Sequence, residues 1–149
     1  MKNYQEIEIL IVEDNPNDAE LTIRALRKNN LANSIKLAED GEEAIDFLFS
    51  RGIYADNVFL KPLKVIFLDL KLPKISGLEV LAEIKSHPET KMLPVVVVSS
   101  SREDPDIKRA YELGANSYVV KPVNFEDFLK AMSQTGLYWL LVNESPKQF

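Results

Sequence analysis

Apolar residues fall along this chain in two alternating rhythms. Short, near-continuous runs occupy residues 6–12 (Ile7, Ile9, Leu10, Ile11, Val12), 34–38, 65–70 (Val65, Ile66, Phe67, Leu68, Leu70), 93–99 and 117–120. Such runs are the pattern of strands buried on both faces. Between them the spacing turns helical: Ala19, Ile23 and Leu26 up to Asn29-Asn30, then Ala44, Ile45, Leu48 and Phe49 from the turn at Asp40-Gly41 to Arg51-Gly52. Leu78, Leu81 and Ile84 follow up to His87-Pro88, then Ile107, Ala110 and Tyr111 between Pro105 and Gly114, and Phe128, Met132, Gly136 and Trp139 after Asn124. Pro105 suits a first helical turn, and Gly114 suits the position just past a helix end. Five alternations of strand and helix predict a parallel sheet with right-handed crossovers, hence one doubly wound α/β domain over residues 1–149 with its core at residues 6–142. Residues 50–62 form a connection at the long end for a compact domain. It reads as a helix extension and packed surface loop, with a partner contact through Tyr54, Val58 and Phe59 as the alternative.

Composition narrows the class. A chain of 149 residues, 46% hydrophobic and 28% charged, can bury a core without staples. A formal net charge of −5 with no concentrated basic face speaks against nucleic acid. The absence of cysteine excludes disulfides and thiolate metal sites and fits a reducing compartment. The N-terminus runs into a strand pattern with no apolar signal segment, and no window approaches the ~20 apolar residues of a membrane span. The expectation is a cytoplasmic protein with no membrane contact. Because the chain ends soon after its last helix, no output domain is expected.

Polar residues gather where the strands end: Glu13 and Asp14 after the first, Asp69 after the third, Ser99 after the fourth and Lys121 after the fifth. In doubly wound folds that edge is where ligands bind. A strand buried on both faces has no use for a charge, so Asp69 at the end of Val65-Ile66-Phe67-Leu68 is the foremost candidate. Three carboxylates brought together repel by about 4 kcal/mol per pair at ~4 Å, for an effective dielectric near ~20, and need a cation. Oxygen donors without His or Cys select magnesium or calcium over zinc. Magnesium commonly bridges carboxylates to a phosphoryl oxygen, and a hydroxyl (Ser99) and an ammonium (Lys121) suit the other faces of that group. An aspartate can itself be the nucleophile and form an aspartyl phosphate. Singly, Glu13-Asp14 could cap a helix, Ser99 form a turn and Lys121 be a solvated strand end. Their coincidence at one sheet edge points to chemistry.

The segments ILIVEDN, IFLDLKLPKISG, LPVVVVSS and YVVKP resemble the response-regulator receiver domain of two-component signalling over nearly the whole chain. That resemblance implies a flavodoxin-like fold of five βα units with sheet order 2-1-3-4-5. It implies Asp69 as phosphoacceptor and Mg2+ held by Glu13, Asp14, Asp69 and the backbone carbonyl of Lys71. Ser99 would be the switch hydroxyl, Lys121 the phosphate partner and Tyr118 the aromatic switch. Glu13 stands where a second Asp is frequent, and Ser99 where Thr is as common.

By the same resemblance the protein is a signal carrier rather than an enzyme. A sensor histidine kinase would phosphorylate Asp69, and the surface of the fourth helix, fifth strand and fifth helix would change in response. ILIVEDNPNDAEL, the long segment before the third strand and Tyr138-Trp139 resemble stand-alone receivers that partner phytochrome-type kinases and often form homodimers through that surface. Leu137, Tyr138, Leu141 and Tyr111 fall outside the core stripes and fit such a face. The output would be a downstream protein target or a histidine phosphotransfer protein. The alternatives are a degenerate receiver scaffold and an aspartyl-phosphate phosphatase of the haloacid-dehalogenase type. That phosphatase class carries a second acid two residues after the nucleophile, where this chain has Lys71.

Overall fold

The computed structural model describes residues 3–5, 7–28, 34–55, 57–59, 63–122 and 124–144. Its central sheet is built from β1 (Ile9–Val12), β2 (Ile35–Ala38), β3 (Val65–Leu68), β4 (Val95–Ser99) and β5 (Ser117–Val120). All neighbouring pairs are parallel, and the order is β2-β1-β3-β4-β5, as the resemblance implied. The crossovers are α1 (Pro16–Lys28), α2 (Gly41–Leu48), α3 (Gly77–Ser86), α4 (Asp104–Glu112) and α5 (Phe125–Leu137).

The continuous apolar runs follow from cover on both faces. Leu10, Val12, Ile66, Leu68, Val95 and Val97 pack with residues of α2, α3 and α4, among them Phe47, Leu81 and Ala110. Their strand neighbours Ile9, Ile11, Val65, Phe67, Val96 and Val98 pack with Ala25 and Leu26 of α1 and Phe128 and Met132 of α5. Successive side chains point to opposite faces, so a sheet covered twice needs apolar residues at every position. Polar caps start most helices: Asn15 for α1, Asp40 for α2, Ser76 for α3 and Asn124 for α5 each accept a backbone N–H with a side-chain oxygen. Helix α4 begins instead with Pro105 in its first turn.

The register sets the functional edge. Val12 lies level with Ala38 and Leu68, and Ser99 with Val120. The ladder runs one residue further through Glu13 N–H to Ala38 O (3.0 Å), Asp69 N–H to Val12 O (3.0 Å) and Lys121 N–H to Ser99 O (2.8 Å). Backbone bonds therefore hold the residues just past the strand ends before any side chain acts.

Three features differ from the sequence reading. Helix α5 ends at Leu137 and continues as a π-helical turn, Tyr138–Val142. The connection after α2 contains a 3-10 turn, Gly52–Tyr54, rather than an extension of the helix. Strands Asn3–Gln5 and Asn57–Phe59 pair in parallel as a separate sheet. Three residues are too few for an alternating pattern to show, which is why neither strand was expected. Tyr54 is buried, donates to Glu43 Oε2 (2.7 Å) and lies under the Lys36 ammonium (4.8 Å to the ring centroid), so this part of the connection is packed against the domain. The expected strand start at Glu6, the helix end at Asn29-Asn30 and residues 56 and 60–62 of the connection lie outside the described residues.

Candidate functional site

Glu13, Asp14 and Asp69 meet at the carboxyl edge of β1 and β3, with one oxygen of each within 4.8 Å of the others. Glu13 and Asp69 are buried and Asp14 is exposed. The cluster can form because Glu13 and Asp69 directly follow buried strands, with Asp14 next to Glu13, and the two strands are hydrogen-bonded neighbours in register. Gly77 closes the loop after β3 by donating its N–H to Leu70 O (2.9 Å), which returns the chain beneath Asp69.

Lys121 completes the cluster. Its Nζ donates to Glu13 Oε1 (2.6 Å), Asp18 Oδ2 (2.9 Å) and Asp69 Oδ2 (3.3 Å). Burial works against its charge, but the bonds to Glu13 and Asp18 and the charge of Asp69 outweigh it and hold the ammonium more basic than usual. Glu13 is pushed from 4.5 up to about 7, first by burial; the bond to Lys121 opposes the shift, and the charge of Asp69 adds to it. Three carboxylates thus surround one ammonium, with Asp14 close to two of them, and one of the three ionises only near neutrality. Excess negative charge on hard oxygen donors fits a divalent cation such as magnesium or manganese.

The remaining expected residues form an adjoining network. Ser99 is fully buried at the end of β4, and its Oγ accepts the Ser101 N–H (3.2 Å) rather than touching the acids. Tyr118, half-buried on β5, donates its hydroxyl to Ser101 O (3.0 Å). The Ser101 hydroxyl in turn donates to Asp106 Oδ2 on α4 and accepts the Glu103 N–H (3.3 Å). Ser99 and Tyr118 are therefore joined through one residue. The Lys71 side chain is exposed in the loop two positions past Asp69. His87, the lone histidine, lies at the end of α3, with Nδ1 2.7 Å from Glu83 O.

Sequence reasoning overlooked Asp18 and Asp106. Asp18 lies in the first turn of α1, only four residues after Asp14, a recurrence of acids near the end of β1 that is visible in the sequence. Asp106 shows no comparable signal, since an acid in a first helical turn is ordinary.

Comparison with known proteins adds to this picture. The family described as response regulator receiver domain matches residues 9–133. The probable methanogenesis regulatory protein FilR2 of Methanothrix harundinacea is 38% identical over 138 residues, which cover 93% of this chain and 86% of that protein. Response regulator Rcp1 of Synechocystis sp. is 38% identical over 132 residues, covering 89% of this chain and 88% of Rcp1. The crystal structure of Mn(2+)-bound Rcp1 superposes with a TM-score of 0.87 at 35% identity, covering 95% of this chain and 99% of that one. The phosphorylated cyanobacterial phytochrome response regulator RcpA gives a TM-score of 0.87 at 36% identity, covering 96% and 100%.

Proposed function

Because this chain belongs to the response regulator receiver family, we propose that it takes a phosphoryl group from a sensor histidine kinase onto Asp69 and signals by protein contact. The observation that carries this reading is the meeting of Glu13, Asp14 and Asp69 within 4.8 Å, with the Lys121 ammonium against them. In the transfer, an Asp69 carboxylate oxygen bonds to phosphorus while the N–P bond of the kinase's phosphohistidine breaks and the imidazole leaves. Little covalent chemistry is asked of the protein beyond position and charge. When bound, Mg2+ on Glu13, Asp14, Asp69 and the Lys71 carbonyl would neutralise the acids and the charge on the phosphoryl oxygens. Lys121 Nζ, 3.3 Å from Asp69 Oδ2, can donate to one phosphoryl oxygen. Ser99, whose Oγ accepts from Ser101, keeps its own hydrogen to donate to another.

A Ser99 drawn toward the phosphoryl group pulls on Ser101, and through it on Tyr118 and α4. A local charge event thus biases the surface of α4, β5 and α5. The Mn(2+) bound by Rcp1 supports a divalent site, and the phosphorylated state of RcpA supports the acceptor role. RcpA is a phytochrome response regulator, which supports a phytochrome-type kinase as the partner here. The protein's own chemistry stops at gaining and losing the phosphoryl group, so it acts as a signal carrier rather than a turnover enzyme. Its output is a downstream target or, as the second possibility, a histidine phosphotransfer protein.

The test is incubation with acetyl phosphate or phosphoramidate, with and without Mg2+, followed by intact-mass analysis and peptide mapping. One phosphoryl adduct, dependent on Mg2+ and located on Asp69, is the expected result. No adduct under conditions where a control receiver is labelled would put the degenerate scaffold first.

The same surface offers a homodimer contact. Tyr111, Leu137, Tyr138 and Leu141 are 50%, 38%, 48% and 69% exposed, more apolar area than a solvated helix face needs. Replacing Tyr138 and Leu141 together with Glu should convert dimer to monomer in sedimentation velocity. A dimer that survives both changes rules this face out.

A further inference from the structure

A lysine ammonium has three hydrogens to donate, and in this site all three go to carboxylates, Glu13 at 2.6 Å, Asp18 at 2.9 Å and Asp69 at 3.3 Å. Two of those partners belong to the acidic group gathered within 4.8 Å, and the proposed chemistry claims both. A divalent cation would take oxygens of Glu13 and Asp69, and phosphorylation would turn the Asp69 carboxylate into an acyl phosphate. Asp18 stands outside that group, so neither event removes it from Lys121.

Asp18 is also fixed from its own side. Asn15 Oδ1 accepts the N–H of Asn17 (2.9 Å) and of Asp18 (3.1 Å), and Pro16 opens the helix with its backbone already set. Thr22 Oγ1, one turn on, donates to Asp18 O (2.9 Å). The carboxylate therefore projects from a rigid first turn toward a lysine that is 10% exposed.

We propose that Asp18 is a positioning residue that keeps the Lys121 ammonium aimed at Asp69 once metal and phosphoryl group have claimed its other two partners. This rests on the receiver reading above. A dication at the acids repels the ammonium, and a flexible four-carbon stem gives it an easy path into solvent. The Asp18 charge offsets that repulsion. One bond to Asp18 leaves two ammonium hydrogens for phosphoryl oxygens, so the brace does not compete for donors.

The experiment is titration with beryllofluoride at saturating Mg2+, read by fluorine NMR, on the wild type, Asp18→Asn, Asp18→Ser, Lys121→Ala and the double variants. Both Asp18 substitutions are compatible with a first helical turn, and thermal melting checks that each protein is folded. Asp18→Asn and Asp18→Ser should each weaken binding about fivefold when Lys121 is present and should not weaken it when Lys121 is Ala. Equal weakening in both backgrounds would show a structural role and overturn the proposal. Unchanged or tighter binding in Asp18→Asn would also overturn it, the latter by showing that Asp18 competes for the ammonium. A wild type that takes no beryllofluoride where a control receiver does would remove the receiver reading, and this inference with it.

Discussion

Asp69→Asn is expected to lose all phosphoryl acceptance and, in metal-free buffer at about pH 8, to melt above the wild type. The amide keeps the shape of the side chain, removes its nucleophilic carboxylate and deletes one charge from a crowded site. Glu13 shows the strain: burial, with the Asp69 charge added and the Lys121 bond opposing, raises its pKa from 4.5 to about 7. A carboxyl whose folded pKa is raised favours the fold below its unfolded pKa of 4.5 and loses that contribution as pH climbs through about 7. Without the Asp69 charge Glu13 ionises more easily, so the loss shrinks. Variant and wild type should therefore converge in acid and separate above neutrality. The gain is on the order of 1 kcal/mol, or about 2–4 °C for a domain of this size. Melting curves with a chelator at about pH 5 and about pH 8, paired with intact mass after acetyl phosphate, read both halves. A variant that melts at or below the wild type at the higher pH would mean that the Lys121 ammonium already offsets the Asp69 charge.

Gly77→Ala should be the most damaging small substitution near the site. A Cβ there would lie 2.1 Å from Asp69 O and 2.5 Å from Leu70 Cα. Both are backbone atoms, so no rotamer change can clear the space. Overpacking of this kind costs about 2–3 kcal/mol, a fall of roughly 4–12 °C in Tm. Relief would come by displacing the end of β3, so labelling at Asp69 should slow along with the fall in stability. Wild-type melting and labelling would show that the loop 71–76 gives way instead.

The legible part of this molecule is the part governed by one simple constraint. Covering both sheet faces made β1, β3 and β4 read as unbroken apolar runs, and parallel crossovers send every strand end to the same edge. Glu13, Asp69 and Lys121 could therefore be placed together from their positions after Val12, Leu68 and Val120. The strand order and the roles of Tyr118 and the Lys71 carbonyl were implied only by family resemblance. Asp18 and Asp106 escaped notice because an acid in a first helical turn already has a sufficient local explanation. Their tertiary partners, Lys121 and Ser101, become visible only when the elements are packed. The paired strands Asn3–Gln5 and Asn57–Phe59 and the π turn after Leu137 were too short to leave a period.

Ser101 offers its N–H to Ser99, its carbonyl to Tyr118 and its hydroxyl to Asp106, so one serine joins the end of β4 to β5 and α4, which on the proposed reading are the phosphoryl site and the partner face. Such a junction conducts in both directions. By thermodynamic linkage, a target that grips α4 more tightly in the phosphorylated protein must favour the phosphorylated form by the same factor. On the proposed reading, the supply of free target would then shift how much of the protein stays phosphorylated at equilibrium, alongside the kinase.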